Sequence, residues 1–466
     1  MPSDPKKRRQ SRQDTLYVAG LVFVGLSVGL VGYLVLMPYV ANPVVDLGRD
    51  ADWTCLNLGL HRIHGFGDTG RWWTGTWCGE VPFWRPLTSY VFWAMRLLWP
   101  PEYMLPRELV LLGAHFAFVA AAGVLLWKLT HRRWLTLVTL WLFAGYRPFP
   151  VPQVFPYLQS VESTLSDPKN IQEPLAGTVM LLSLIFLLNR KWKPALACAA
   201  VSVGLKETGF TTWLLVPAVL AWIHRDSVMS SGGLRRIRDT VRQNRVTIAA
   251  WLIVLAGLLW IHFHAVGIGH GFRIGKYWHY SAALYFGGPV FAEFLRHNPG
   301  PPMVALLVSC AIVSSRRLRL LPRFVGVLAA LALGVLLYAR MLGTTWDVSA
   351  AELLTYRLDL TIVLAGIVWL LVARESARVW RWIAFGLATA FLASVPTWVS
   401  AHALEHSRYV ASLFMEIAVG AALCQTARVA AESAGISFGR PYTKRPMLRS
   451  PDSDREALSE HVLSGR

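Results

Sequence analysis

Two carboxylates, Asp50 and Asp52, stand two residues apart just before Trp53, shortly after the first long apolar run of the chain. Two acids so close together repel each other, so such a pair is typical of a catalytic site, a cation site or a hydrated loop. The run Arg85-Pro86-Leu87-Thr88 ends the same hydrophilic segment. The guanidinium of Arg85 could hold a phosphate through its planar fork of donors, or it could extend toward lipid headgroups.

A second charged turn, Lys206-Glu207-Thr208-Gly209, joins two apolar runs. Its opposite charges fit a hydrated cap, or they could pair inside a helical bundle and direct Lys206 at an anion. Glu162, Lys169 and Glu173 belong to another polar segment between apolar runs. The sequence has no CxxC or HExxH pattern and no convincing ligand spacing of histidines, so it predicts no metal site.

The composition predicts the elements that position these residues. The chain has 466 residues, 54% of them hydrophobic and 16% charged, with a mean hydropathy of +0.42. Soluble domains have about one quarter charged residues. We therefore expect an all-α polytopic transmembrane bundle. The net charge of +19 comes from short basic clusters between apolar runs, which indicates membrane topology rather than one nucleic-acid-binding patch.

Apolar runs predict about twelve membrane spans, since a helix needs about 20 apolar residues to cross the hydrocarbon core. Several of the runs are short and would need tilt or burial among neighbours. The predicted spans are 15–38, 109–129, 134–147, 173–189, 194–206, 210–223, 246–264, 302–315, 322–340, 357–373, 380–398 and 410–427.

Charge alternation between the spans predicts the topology. Every short loop assigned to the inside is basic, as the positive-inside rule requires, and both termini are then cytoplasmic. The predicted organisation is a basic N-terminus (1–14), a bundle (15–427) and a disordered cytoplasmic tail (428–466). The large first extracytoplasmic loop (39–108) contains an amphipathic interfacial helix at 86–99. In that loop Cys55 and Cys78 could form a disulfide.

The order of these motifs resembles the GT-C glycosyltransferases, most closely the protein O-mannosyltransferase-like branch. The resemblance consists of the acidic pair before an aromatic, the Arg-Pro-Leu run before an interfacial helix, a Val161-Glu162-Ser163 element and a Lys-Glu turn. An Arg408-Tyr409 pair before a late span is a weaker likeness. The resemblance as a whole covers residues 15–225 by its motifs and the remainder of the chain by topology alone.

The resemblance implies a transferase of the bacterial plasma membrane that moves a sugar from a polyprenyl-phosphate donor to an acceptor hydroxyl with inversion. Asp52, or else Asp50, would be the general base. Arg85, Lys206 and Arg408 would bind the donor phosphate. Substrate-positioning roles would fall to Glu162, Glu207 and Lys169. The partners would be membrane lipid, the lipid-linked sugar and a glycan, lipid or protein acceptor, with no nucleic acid and with a divalent metal left open.

The chain departs from the family pattern at three points. Ala51 splits the acidic pair, Phe155-Pro156 replaces a His-Pro, and TPR repeats are absent. Three alternatives stay open: a transporter or flippase of lipid-linked saccharides, a degenerate non-catalytic GT-C relative, and an O-antigen-polymerase-like enzyme. A transporter would usually show paired halves or matching broken helices, which the sequence lacks.

Overall fold

The structure is a computed structural model, and the residues it describes fall into separate ranges along the chain. Within these ranges the protein is mostly helical and contains no β-strand. The described residues are 5–42, 64–77, 83–100, 103–145, 161, 164–165, 168–223, 238–239, 241–266, 377–399 and 409–433.

The helices are numbered here in chain order, and three 3-10 helices lie among them: Phe66–Gly70, Pro168–Ile171 and Glu207–Phe210. The α-helices are α1 (Pro5–Ala41), α2 (Arg71–Thr74), α3 (Pro86–Leu98), α4 (Leu105–Thr130), α5 (Arg133–Ala144), α6 (Gln172–Leu188), α7 (Trp192–Leu205), α8 (Thr211–Ile223), α9 (Arg245–Val266), α10 (Ala377–Val399) and α11 (Tyr409–Ser433).

A helix occupies nine of the twelve predicted spans, and the other three (302–315, 322–340 and 357–373) lie outside the described residues. Of the helices in the described ranges, Asp14–Ala41, Leu105–Thr130 and Arg245–Val266 are long and apolar enough to cross a membrane. Shorter apolar stretches of helix are Arg133–Ala144, Gln172–Leu188, Trp192–Leu205, Glu207–Ile223 and Tyr409–Gln425. Length and composition therefore support a membrane protein, while the full span count remains a prediction.

Two helix boundaries show how local sequence sets the elements. Helix α3 begins at Pro86, because proline fixes φ and needs no hydrogen-bond acceptor in the first turn. The prediction of a helix at 86–99 is confirmed to within one residue. Helix α1 extends through the basic segment predicted to precede the first span, since Lys, Arg and Gln favour helix and no Gly or Pro interrupts residues 6–14.

Side-chain contacts fix which helix ends lie together. An ion pair between Asp14 and Arg133 joins the start of α1 to the start of α5. Lys128 Nζ donates to Asn189 Oδ1 at 2.9 Å and joins the ends of α4 and α6. These four ends therefore lie at one end of the bundle, which we call the basic end.

Further helices also have one end at the basic end. Trp251, near the start of α9, packs on Ala195 and Ala199 in the first half of α7. Trp222, at the end of α8, packs against Trp382 near the start of α10 with ring centroids 4.7 Å apart. The basic residues beside these described helix ends, although separate in the sequence, therefore lie at one end of the bundle.

The core of the bundle lies where α4, α5, α6 and α11 meet. Phe118 of α4 contacts Phe143 of α5 and Tyr409 of α11, with ring centroids 5.3 and 4.7 Å apart. A Cβ on Gly177 would lie 2.7 Å from the Phe118 ring, so glycine permits this close packing of α6. Residues Gln425–Ser433 at the end of α11 belong to a second short unit.

Gly386 provides a test of the α10–α11 packing. A Cβ there would lie 2.7 Å from the backbone nitrogen of Ala418 and 2.9 Å from the carbonyl oxygen of Phe414. Because backbone cannot move aside cheaply, Gly386→Ala is expected to lower the free energy of unfolding by about 1–3 kcal/mol. The matched control is Gly257→Ala on α9, where no atom lies within 4 Å. That change should raise stability by about 0.5–1 kcal/mol. Thermal unfolding in detergent measures both, and equal effects would contradict the close α10–α11 approach.

Candidate active site

Glu207 joins the start of α3 to the turn that follows α7. Its Oε1 accepts a hydrogen bond from the backbone N–H of Trp84 at 2.7 Å, and its Oε2 accepts one from Arg85 Nε at 2.9 Å. The Arg85 side chain is only 6% exposed. The carboxylate thus binds two consecutive residues that lie more than 120 positions earlier in the chain, an arrangement we call the Glu207 clasp.

Aromatic rings enclose the Arg85 guanidinium. Its central carbon lies 4.2 Å from the Phe83 ring centroid and 4.7 Å from that of Trp77, both within the range of cation–π attraction. Trp84 is buried, and its indole N–H donates to the Trp73 carbonyl at 3.0 Å. Arg85 is therefore fixed in a Trp-lined site, and the alternative of an arginine extended toward lipid headgroups is wrong.

Lys206 forms a second buried ion pair, with Glu173 at the start of α6. The two side chains are 4% and 1% exposed, so the turn is not a hydrated cap. Lys206 has extended backbone angles, φ −159° and ψ 147°. Successive side chains of an extended residue pair point in opposite directions. Lys206 therefore reaches Glu173 while Glu207 reaches Arg85.

The Lys206–Glu207 turn is held tightly on the end of α7. The Gly209 N–H donates to the Lys206 carbonyl at 2.8 Å. A Cβ on Gly209 would lie 2.4 Å from the backbone carbon of Ser202, so this close approach requires glycine. Arg85 is also near enough to Lys206 for the two cations to repel each other. The two ion pairs thus form one cluster of four charges.

His262 of α9 adds a residue that sequence reasoning missed. It is 6% exposed, and its ring stands edge-on to Trp84 and Phe210, with centroids 6.3 and 5.8 Å away. Its Nδ1 is buried and has no hydrogen-bond partner among the described residues. The available signal was a histidine within an apolar span, since polar groups there are frequently functional. Glu173, at the start of an apolar helix, was named from the sequence but without an assigned role.

Residues 64–77, which contain the 3-10 helix Phe66–Gly70 and α2, pack beside α3. The backbone N–H groups of His64 and Gly65 donate to Asp68 Oδ2 at 3.0 and 3.2 Å, and these bonds hold the pKa of the Asp68 carboxyl below its usual value. The Thr69 hydroxyl shares a hydrogen bond of 2.9 Å with the Tyr90 hydroxyl of α3. The segment that carries Trp73 and Trp77 is thereby tied to the helix that Arg85 precedes.

Other buried polar groups lie at the same end of the bundle. Arg107 and Glu108 are buried at the start of α4. Deeper in the core, a hydrogen bond joins His115 Nδ1 to the Tyr409 hydroxyl. Tyr409, quoted above as part of an Arg-Tyr pair, is thus a buried core residue.

The structure brings together only part of the predicted site. Arg85, Lys206 and Glu207 meet in the charged cluster. Lys169 lies in the 3-10 helix Pro168–Ile171. Outside the described residues are Asp50, Asp52, Glu162, Arg408, Cys55 and Cys78. No group of three or more His, Cys, Asp or Glu within the described ranges is arranged to hold a metal ion.

Comparisons with known proteins identify no relative. A scan against protein-family models, a search of curated proteins and a search of solved structures each found no match. Function is therefore inferred from the residues of the chain itself.

Proposed function

We propose that the protein is a membrane glycosyltransferase of the GT-C type, related to the protein O-mannosyltransferase-like branch. It would move a sugar from a polyprenyl-phosphate donor to an acceptor hydroxyl with inversion. The observation that carries this proposal is the pair of buried cations, Arg85 and Lys206, each held by its own carboxylate at the end of the bundle opposite the basic end.

The chemistry of the leaving group fits two fixed cations. When the bond between the anomeric carbon and the phosphate oxygen breaks, negative charge grows on the polyprenyl phosphate. Preorganised cations lower the energy of that state most where water is excluded. Buried ion pairs contribute little net stability because desolvation is costly. The presence of such pairs in an apolar bundle is therefore better explained by a role in function than by a contribution to stability.

The proposed base comes from the loop that precedes Arg85. Asp52, with Asp50 as second choice, takes the proton from the acceptor hydroxyl as its oxygen attacks the anomeric carbon from the face opposite the phosphate. Glu162, Lys169 and Arg408 are proposed to contact the substrates. The geometry favours a narrower role for Glu207. Both of its oxygens accept hydrogen bonds from Trp84 and Arg85, so it orients Arg85 and does not need to touch the sugar.

The membrane setting of the reaction is part of the proposal. A twelve-span arrangement with cytoplasmic termini in a bacterial plasma membrane would place the charged cluster on the extracytoplasmic side. The directions of the described helices support it, since the ends next to 131–133 and 189–193 lie at one end of the bundle and Arg85, Lys206 and Glu207 lie at the other. The acceptor would be a glycan, a lipid or a protein.

Sugar transfer by isolated membranes tests the proposal. Membranes containing the protein are supplied with labelled polyprenyl-phosphate sugars and an extract of native acceptors. We expect Asp52→Asn to reduce transfer by about 10²–10⁴-fold, the usual contribution of a general base, and Asp50→Asn to reduce it less. Asp239→Asn, an exposed carboxylate just before α9, is the matched control and should leave transfer unchanged.

Three results would contradict the proposal in different ways. If neither Asp52→Asn nor Asp50→Asn reduces transfer, the base is wrongly assigned. If the anomeric configuration of the product equals that of the donor, a single inverting attack is excluded. If the wild type consumes no lipid-linked sugar but moves it between leaflets of vesicles, the protein is a flippase.

A further inference from the structure

A pair of basic turns lies at the basic end of the bundle, far from the charged cluster. We call it the paired turn: residues 128–134, which connect the last turn of α4 to the start of α5, and residues 189–194, which connect α6 to the start of α7. A hydrogen bond of 2.9 Å from Lys128 Nζ to Asn189 Oδ1 joins its two halves. The two halves have similar sequences, His-Arg-Arg-Trp and Arg-Lys-Trp-Lys. The fold therefore brings two matching clusters of cations and tryptophan side by side.

Backbone geometry distinguishes the paired turn from ordinary helix ends. His131 has φ 49° and Arg190 has φ 60°, and they are the non-glycine residues with positive φ in the part of the chain that the structure describes. His131 directly follows α4, and Arg190 follows α6 after one intervening residue, Asn189. Both lie where a helix ends in a left-handed residue, a position where glycine is usual because a Cβ is disfavoured there.

Arg190 occupies this position in a complete Schellman motif. The Lys191 N–H donates to the Phe186 carbonyl and the Arg190 N–H donates to the Leu187 carbonyl, both at 2.9 Å. Favourable interaction of cations with helix C-termini explains basic residues nearby, and Lys128 and Lys191 already supply that charge. It does not explain an arginine at the one position that disfavours any side chain.

An open cleft of about 260 Å³ lies at this turn, lined by Arg190, Lys191, Trp192, Lys193 and Pro194. All three cations of its lining are exposed. These exposed cations attract an anion, and the planar guanidinium of Arg190 can donate two parallel hydrogen bonds to a phosphate.

The position of the cleft along the helices identifies the source of that anion. Helix α4 has 26 residues and is therefore about 39 Å long, somewhat more than the hydrocarbon core of about 30 Å. The paired turn begins in its last turn, which places the cations at headgroup depth. Trp127 and Trp134 are exposed beside them, as is typical of the interface between membrane and water.

We propose that the paired turn binds the phosphate of an anionic phospholipid headgroup. The inference depends on the protein lying in a membrane and is independent of sugar transfer. The lipid is held by the Arg190 guanidinium and the neighbouring lysines, with its acyl chains along the apolar helices. The contact made by its charge would explain why an arginine stands at a position that favours glycine.

The substitution Arg190→Gly tests the proposal, because it should raise stability without anionic lipid and reduce the stabilisation that anionic lipid provides. Arg190→Gly removes the cation but also the strained side chain. In phosphatidylcholine nanodiscs we expect its apparent Tm to exceed that of the wild type by roughly 1 °C. Added phosphatidylglycerol should raise the apparent Tm of the wild type by about 3 °C at a hundredfold excess over its Kd. Arg190→Gly should lose most of that gain, and Arg190→Lys, which keeps the charge, should retain most of it.

Controls separate this cleft from general attraction between charges. Arg242→Gln removes an exposed cation just before α9 at the basic end and should keep the full gain, whereas Lys193→Gln within the cleft should lose part of it. An unchanged gain in both Arg190→Gly and Lys193→Gln would overturn the proposal. So would an equal loss in Arg242→Gln, or a gain fully reproduced by inorganic phosphate without lipid. In the transfer assay Arg190→Gly should behave as wild type, so the outcome for this site is read separately from that for the proposed reaction.

Discussion

Replacing Glu207 with alanine is expected to lower the free energy of unfolding by about 3–5 kcal/mol, as for other broken buried ion pairs. The change leaves the Arg85 guanidinium buried without its carboxylate and removes the acceptor of the Trp84 N–H. Sugar transfer should fall at least about a hundredfold, because a small displacement of a positioning group has effects of that order. Unfolding in detergent and labelled-sugar transfer measure the two effects.

Two comparisons separate the contributions of the Glu207 clasp. Glu207→Gln keeps an oxygen for the Trp84 N–H but loses the charge opposite Arg85, so it should cost less stability than alanine while still impairing transfer. Asp14→Ala breaks the Asp14–Arg133 pair, whose side chains are 50% and 46% exposed, and should cost only about 0–1 kcal/mol. If Glu207→Ala costs no more than Asp14→Ala, the clasp does not stabilise the fold.

Replacing Lys206 with methionine should have an effect of similar size, through the other ion pair. Glu173 would remain buried without its cation, which is expected to cost about 3–5 kcal/mol. The double variant Lys206→Met with Glu173→Met removes both charges at similar volume and should recover stability to within about 1–2 kcal/mol of the wild type. Thermal and denaturant unfolding of the three proteins measure these differences.

Transfer by the double variant distinguishes a catalytic from a structural lysine. If Lys206 stabilises the leaving phosphate, the refolded double variant should remain nearly inactive, because no cation is restored. Recovery of transfer along with stability would show that Lys206 only neutralises Glu173. A double variant no more stable than either single variant would show instead that the two side chains are not coupled.

The helices were largely predictable from sequence because their causes are local. Long apolar runs separated by basic residues gave the positions of α4 and α9, and Pro86 gave the start of α3. The span predicted at 15–38 agrees with the apolar stretch Asp14–Ala41, while the helix that contains it begins earlier, at Pro5. Apolarity marks the part of a helix that contacts lipid, whereas residues 6–13 are polar and owe their helical conformation to intrinsic propensity.

The charged cluster was predictable in its members but not in its pairing. The sequence indicated Arg85, Lys206 and Glu207, yet adjacency suggested that the last two belong together. Their actual partners depend on helix rotation and on a contact between residues 122 positions apart, which no local pattern encodes. His262 was overlooked for a related reason, since the rings of Trp84 and Phe210 that surround it come from two other segments.

Because the backbone at Lys206 is extended, the order of Lys206 and Glu207 in the chain decides which partner each charge meets. A chain reading Glu-Lys at these positions would have the same composition, net charge and hydropathy. Yet it would aim a carboxylate at Glu173 and an ammonium at Arg85, and so bury two like-charged contacts in place of two attractive ones. A one-residue insertion between the two residues would turn one of the side chains to the wrong side. The turn therefore fixes the positions of α3 and α6 relative to each other, because each helix start is held by one of its two charges.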